Sequence, residues 1–360
     1  MKCKKKIGLI TWHYYPNFGS ALQAYALQKY LLNEGYNVKI IDYRNPVFGK
    51  TNRFYDYLRC LRSYIIGRLN KKYYRPFIEF QFRYQKTTKR YFSKSEIQDD
   101  FDVYICGSDQ IWAPNVFNPV YMLDFVRNNN ARKVSYAASI GLNYISTQTL
   151  VEFEKLLSDF YKISVRESSS IKLLPMNLDK EKICSVLDPT FLLEKEDYIR
   201  IEKRIDIKEK FVFCYFLNEQ NNYKDKVVDL ANKNNLKIYG CSSKNADANW
   251  IGNFGRIGPR EFIWMIHHAS IVVTDSYHAT IFSLLFHKSF ITFKRFDKND
   301  SLNQNSRIIH LCEWFKINNM IVDSNTNEPL SIKSFDYFEF DSALNEKRIV
   351  SKLFLKEAIE

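Results

Sequence analysis

His278 stands in TDSYHATIFSLLF, residues 274–286, where Asp275, Ser276, Tyr277 and His278 interrupt an otherwise apolar run. An imidazole gives and takes protons near neutral pH, so His278 is the chain's first candidate acid/base group. Arg166, in SVRES, is the second candidate. A guanidinium keeps its charge and can grip a carboxylate or phosphate through two parallel hydrogen bonds. Other polar clusters share this setting at the end of a short apolar run: Asn17-Phe18-Gly19-Ser20, Gly107-Ser108-Asp109-Gln110, Ser139-Ile140-Gly141, Arg166-Glu167 and Asp188-Pro189-Thr190. Each also has a structural reading. Ser108 or Asp109 could cap a helix, DPT is a frequent turn, Arg166 could pair with Glu167, and a His after a strand is often a core or cap residue.

The elements that must position these groups can be read from apolar patterning. SIVVT is a fully apolar, β-branched run, the signature of a strand buried on both faces, and ATIFSLLF reads as a helix packed on a sheet. The polar residues then fall at the strand's carboxyl end and the helix's first turn, where backbone N–H groups and the helix dipole favour anions. The alternation recurs along the chain. KIGLITWHY predicts a strand, YPNFGS a turn, Ala21 to about Asn33 a helix and NVKIIDY a strand, followed by DVYICGSD, KVSYAASIG, KISVRES and SVLDPTFLL. A second series begins near Lys210 with FVFCYFL, a polar helix over about Asn222–Asn234, LKIYGCS, PREFIWMIHHA, the opening strand and helix, SFITF and SRIIHLCEWFKI. This predicts an α/β fold of two Rossmann-like domains facing across a cleft, spanning residues 1–195 and 205–335, with a terminal helix over 340–360 packing back on the first domain. Parallel strands align their carboxyl ends, so the clusters should converge there.

Composition excludes several classes. With 46% hydrophobic and 26% charged residues in 360, the chain reads as globular. MKCKKKIGLITWHYYP mimics a signal peptide, but its apolar run is too short and His13 follows at once. No apolar run approaches the roughly 18 residues of a membrane-spanning helix. The seven cysteines (3, 60, 106, 184, 214, 241 and 312) contain no close pair, which fits neither a disulfide framework nor a zinc knuckle and points to a reducing, cytoplasmic setting. No G-x-G-x-x-G, G-K-S/T or H-E-x-x-H is present, leaving dinucleotide, P-loop and zincin chemistries unsupported. His267-His268 has no carboxylate or Cys at metal spacing in the sequence and reads as structural, so no metal site is expected.

The net charge of +13 is concentrated. Between Arg53 and Phe92 eleven Lys/Arg stand against Asp56 and Glu79, interleaved with twelve aromatics, among them Tyr55, Tyr57, Tyr64, Tyr73, Tyr74 and Phe77. Such a segment can serve nucleic acid, an anionic membrane surface or a phosphate-bearing acceptor. It can equally be long helices with an aromatic face on the core and a solvated basic face.

Taken in order, the blocks YYPNFGSALQAYALQKYL, RPFIEFQFRY, YICGSDQIWAPN, YAASIG, SVRES, VLDPTFLL, VVTDSYHATIFSLLFHKSFITF, NSRIIHLCEWF and KRIVSKLFLKEAI resemble the polysaccharide pyruvyl transferase family over nearly the whole chain. The resemblance implies a glycosyltransferase-like (GT-B) architecture. It also implies transfer of the enolpyruvyl unit of phosphoenolpyruvate to a sugar as a cyclic ketal, with Arg166 and His278 matching the family's active-site Arg and His. Many members carry Arg two residues before that His, where this chain has Ser276; Lys294, Arg295 or Arg307 could supply the missing cation. On this reading Asn17, Gly19, Ser20, Gly107, Ser108, Asp109, Gln110, Ser139, Glu167, Asp188, Thr190, Asp275, Ser276 and Tyr277 line the substrate site. Phosphoenolpyruvate and a sugar or lipid-linked glycan are the partners, with no nucleic acid and no cofactor beyond the donor substrate. The enzyme would be cytoplasmic, with peripheral association at the inner membrane face through the basic aromatic segment. The alternatives are a glycosyltransferase using a nucleotide-sugar donor and a non-catalytic carbohydrate-binding relative.

Overall fold

Strands covered on both faces of a parallel sheet are apolar nearly throughout; among the described residues VYIC and FVFCYF meet that condition with every residue buried, and IVVT and ISV do so but for one buried hydroxyl residue each. The computed structural model describes residues 5–44, 71–98, 100–217, 222–242, 252–253, 257–296, 303–323 and 326–360. The chain divides into two compact units. Unit 1 comprises Met1–Pro16, Ser20–Leu192 and Val350–Glu360, and unit 2 comprises Asn17–Gly19 and Leu193–Ile349.

Unit 1 is built from β1 (Lys6–Ile10), α1 (Phe18–Asn33), β2 (Asn37–Tyr43), α2 (Lys71–Tyr84), β3 (Thr87–Tyr91), β4 (Val103–Cys106), β5 (Arg132–Ser135), α3 (Thr147–Leu157), β6 (Ile163–Val165) and β7 (Ile183–Ser185). Its five-stranded sheet has the order β3-β2-β1-β4-β5, with every pairing parallel. The strand order reverses between β1 and β4, so that pair's carboxyl ends form the place where an open α/β sheet offers a crevice. Single parallel bridges, Val134 to Lys162 and Ala138 to Val165, lead from β5 to the two-stranded β6–β7 sheet. Trp112, Phe153, Tyr104 and Val165 lie in the core under this sheet.

Unit 2 contains α4 (Lys195–Ile199), β8 (Phe211–Phe216), α5 (Asn222–Lys233), β9 (Lys237–Ser242), β10 (Gly252–Asn253), α6 (Pro259–His268), β11 (Ile271–Thr274), α7 (Tyr277–Leu285), β12 (Ser289–Phe293), α8 (Ser306–Phe315) and β13 (Ile321–Val322). The last helix, α9 (Tyr337–Ile359), begins here and its final residues belong to unit 1. The sheet order is β10-β9-β8-β11-β12-β13, again parallel, with the reversal between β8 and β11. Both units are therefore Rossmann-like.

Two local expectations are corrected. The first helix starts at Phe18 rather than Ala21, so Gly19 and Ser20 are helical and not part of the preceding turn. No α-helix follows GSD. Asp109 adopts a left-handed backbone (φ 77), bridges to Ala138, and Pro114 then opens only a short 3-10 turn. The basic aromatic segment falls largely outside the described residues, including Tyr55, Tyr57, Tyr64 and the side chains of Tyr73 and Tyr74. Within α2, Phe77 and Phe80 are buried, whereas Ile78 and Phe82 are 61% and 88% exposed.

Candidate functional site

At the carboxyl ends of unit 1's strands the predicted polar residues form one hydrogen-bonded network. Thr11, just past β1, donates its hydroxyl to the Ser108 carbonyl at 2.7 Å, joining the two switch-point strands. Asp109 receives the Ser20 hydroxyl on Oδ2 and the Gln110 N–H on Oδ1 (2.9 Å). Gly141 is left-handed (φ 69), a conformation that favours glycine, and a Cβ there would push on the Gln110 side chain, whose Nε2 would lie 2.2 Å away. Together with Ala137 (φ 53) and Asp109, three left-handed residues crowd one sheet edge. Such backbone is costly, and it persists where the surroundings over-determine it.

Arg166, directly after β6, is 1% exposed. Its Nε donates to Glu167 Oε1 at 3.0 Å and its Nη1 to Asp188 Oδ2 at 2.9 Å. Hydroxyls complete the arrangement: Ser139 and Ser170 donate to Glu167 (2.9 and 3.3 Å), while Ser108 and Thr190 donate to Asp188 (3.2 and 2.7 Å). These bonds bear on the clamp reading of Arg166: with Nε and Nη1 committed to Glu167 and Asp188 and the side chain buried, a bidentate grip on an outside anion through those nitrogens would first have to break them.

In unit 2 the candidate groups gather where β11 meets α7. Thr274 donates its hydroxyl to the Tyr215 carbonyl of β8 and accepts the Ser276 N–H at 3.0 Å, closing the switch point. Asp275 accepts the Leu217 N–H at 2.7 Å. Ser276 is the N-cap of α7, its Oγ facing the Ala279 N–H at 3.4 Å. That places Tyr277 and His278 in the first helical turn, and both are buried. Gly19, which groups with this unit, seats the His278 ring: a Cβ at Gly19 would lie 2.0 Å from His278 Nδ1. No larger residue fits there without moving the imidazole.

The three candidate cations separate. The Arg307 guanidinium lies 5.8 Å from the centre of the Tyr277 ring and donates to Gln304 Oε1 at 3.0 Å. Arg295 donates to the same oxygen at 3.2 Å. Burial pulls the Arg295 guanidinium below its ordinary pKa, opposed by the charge of Asp275. Lys294 points elsewhere and pairs with Asp323 at 2.9 Å. Arg295 and Arg307, not Lys294, are thus the cations brought to the Asp275–His278 turn. Asn17 is half-buried immediately before α1.

Several residues of this edge escaped sequence reading. Gln23 in α1 donates to Thr11 Oγ1, the Trp12 carbonyl and the Ser20 carbonyl, each at 3.0 Å, locking helix to strand. A fully buried Gln among Ala and Leu was the available signal. His13 is buried, with its ring nitrogens 3.1 Å from the Thr11 carbonyl and 3.2 Å from Asp42 Oδ1. Arg44 donates to both Asp42 oxygens, at 2.7 and 3.2 Å. Burial raises the Asp42 carboxyl, but hydrogen bonds from His13 and Arg44 outweigh it and hold the group well below the usual carboxylate range. Its cue was the polar His13 directly after an apolar strand.

The model of the family described as polysaccharide pyruvyl transferase matches residues 17–295. No curated protein sequence matches the chain. Among solved structures, UDP-N-acetylglucosamine 2-epimerase from Rickettsia bellii is similar, with a TM-score of 0.53 at 10% identity over 98% of this chain and 95% of that one. UDP-GlcNAc 2-epimerase from Methanocaldococcus jannaschii follows, with a TM-score of 0.50 at 12% identity over 97% and 99%. At such identity the likeness speaks for the fold, two Rossmann-like units. Among the described residues no helix is long and apolar enough to cross a membrane. The family match takes in α1, the Arg166 network and the Asp275–His278 turn, and the chain belongs to the polysaccharide pyruvyl transferase family.

Proposed function

We propose that the protein transfers the enolpyruvyl unit of phosphoenolpyruvate to two hydroxyls of a sugar in a glycan precursor, forming a cyclic ketal. The observation that carries this reading is the turn at the start of α7: His278 lies in its first helical turn within the region matched by the family, Arg307 lies 5.8 Å from the ring of the adjacent Tyr277, and Arg295 feels the charge of Asp275. In the reaction the donor's methylene carbon takes a proton, which leaves a cationic C2. One sugar hydroxyl adds to C2, the C–O bond to phosphate breaks, and the second hydroxyl closes the ring. Of the two hydroxyl protons, one balances the new methyl group and one leaves with phosphate.

His278 is the group that handles these protons, held in place by Gly19. Arg295 and Arg307 carry the charge that receives the donor's carboxylate and phosphate, and the amino end of α7 adds backbone N–H groups. This takes over the role that Ser276 cannot fill. Arg166 fixes the strand ends of unit 1 through Glu167 and Asp188, without touching the donor.

Thermal-shift titration with phosphoenolpyruvate, UDP-sugars and free glycans tests the reading. Phosphoenolpyruvate should raise the melting temperature in a saturable way, and Arg307→Ala should abolish most of that rise. Stabilisation by a UDP-sugar and not by phosphoenolpyruvate would replace pyruvyl transfer with glycosyl transfer. A cytoplasmic enzyme using lipid-linked acceptors would meet the inner membrane face, and exposed Ile78 and Phe82 beside Arg75 and Arg83 support that placement. Co-sedimentation with anionic vesicles should fade with salt; no co-sedimentation at low salt would remove the membrane from the proposal.

A further inference from the structure

A second cluster of ligating side chains lies at the other edge of unit 2's sheet. His267 and His268 end α6, immediately before β11, whereas the Asp275–His278 turn follows that strand. No carboxylate is near them in sequence, but the fold supplies one. Glu202 approaches from 65 residues away, with Oε2 at 2.9 Å from His267 Nδ1 and Oε1 at 3.3 Å from His268 Nε2. The three ligand atoms lie within 4.8 Å of one another.

The imidazoles are held by ring stacking rather than left to rotate. His267 stacks on Phe286 (centroids 4.9 Å, interplanar angle 22°) and His268 on Trp264 (4.6 Å, 21°). The Glu202 side is anchored as well. Arg260 donates its Nε to the Ile201 carbonyl at 2.7 Å, and the Lys203 N–H donates to the Arg260 carbonyl at 3.1 Å. Adjacent helical residues diverge by about 100° around the axis, so two neighbouring His side chains seldom converge on one carboxylate.

We propose that Glu202, His267 and His268 form a binding site for a divalent transition-metal ion of the Zn²⁺ class. Two imidazoles and one carboxylate are the donor set such ions favour, with a fourth position left to water. Tetrahedral ligands at metal–ligand distances of about 2.0–2.1 Å sit about 3.4 Å apart; here 2.9 and 3.3 Å separate the imidazole nitrogens from the two Glu202 oxygens, and one ligand atom from each residue lies within 4.8 Å of the others. The Lys288 ammonium is spent on the His267 carbonyl at 2.9 Å, and Lys203 on Glu261 at 2.8 Å. Standing at the amino end of β11, the ion would pin the segment after α4 to α6 and stay outside the proposed chemistry.

The test is calorimetric titration of the untagged full chain with ZnCl₂, beside Glu202→Gln and His268→Ala. The His268 side chain is 42% exposed, so its removal leaves the core intact and gives an arm that does not depend on Glu202. Wild type should bind one equivalent, and each variant should weaken binding by about tenfold or more, since even losing a residue that only supports a metal ligand costs about 10–100-fold. No binding by wild type, or unchanged binding in His268→Ala, would reduce the cluster to ion pairs at a helix end. The phosphoenolpyruvate response of both variants should equal wild type, so failure here and failure of the proposed activity are separable.

Discussion

The two units hold buried charge in different ways. In unit 1 a guanidinium is answered at once by two carboxylates, and hydroxyls and N–H groups occupy both oxygens of each: Arg166 and Ser139 on Glu167 Oε1, Ser170 on Oε2, Arg166 and Ser108 on Asp188 Oδ2, and Thr190 on Oδ1. In unit 2 two guanidiniums share one neutral amide oxygen, Gln304 Oε1, and one of them lies over the ring of Tyr277 at the amino end of α7. Carboxylates occupied on both oxygens by a guanidinium and hydroxyls have little left to offer a ligand. Cations whose described hydrogen bonds go to a neutral oxygen keep more of their field for an incoming anion than one bonded directly to two carboxylates, with Asp275 also acting on Arg295. On the proposed reading Arg166 serves as scaffold and His278 does the chemistry, although both residue types suggested chemistry equally well in the sequence.

The largest effect should come from the chemical side of this contrast. His278→Ala should lower turnover by about 10²- to 10⁴-fold with the melting temperature little changed, the pattern of a lost acid/base group. Gly19→Ala should act in the same direction, because its methyl would displace the imidazole that the glycine now seats. Turnover measured by phosphate release in both variants checks this. A folded His278→Ala enzyme with near-normal rate would put the chemistry elsewhere.

Arg166 should behave in the opposite sense. Arg166→Met leaves Glu167 and Asp188 buried beside each other without their cation, and breaking such a network costs about 3–5 kcal/mol. Arg166→Lys keeps the charge but cannot donate from a planar fork to two carboxylates, so it should recover only part of that loss. Denaturant unfolding of both variants gives the numbers. If Arg166→Lys were as stable as wild type yet lost its response to phosphoenolpyruvate, Arg166 would contact the donor after all and the contrast would fail.

Legibility in the sequence followed how local each feature is. The strands and the start of α7 were readable because SIVVT, the Ser276 cap and ATIFSLLF are contiguous. The first helix was misjudged by one turn because Gly19 and Ser20 look like turn residues. Gly19 is helical, and its missing side chain is space for the His278 ring, which lies 259 positions away. GSDQIW looks like a helix cap, but Asp109 spends its backbone on a bridge to Ala138 and its carboxylate on Ser20. Arg166 meets Asp188 across 22 residues and Glu202 meets His267 across 65. No spacing rule reaches that far. What sequence could supply was the inventory of reactive groups; which of them neutralise one another is decided by the fold.

Asp42 gives the mildest test, because it repeats the closed arrangement of unit 1 at a second place. Its carboxylate faces His13, Arg44 and, at 3.4 Å, the half-exposed Arg90. The folded pKa is depressed, chiefly through the hydrogen bonds from His13 and Arg44 working against burial. A carboxyl whose pKa is lower folded than unfolded adds stability that is whole above the unfolded value of about 3.9. That stability drains away as pH falls from there toward the folded value. Asp42→Asn should therefore be less stable than wild type at neutral pH by a roughly constant margin down to about pH 5. The margin should narrow as pH falls below about 4. Urea unfolding of both proteins at several pH values measures it. A margin that stays constant into acid would mean that Asp42 is held by its shape and hydrogen bonds alone, and that paired charge in unit 1 contributes less than the Arg166 network suggests.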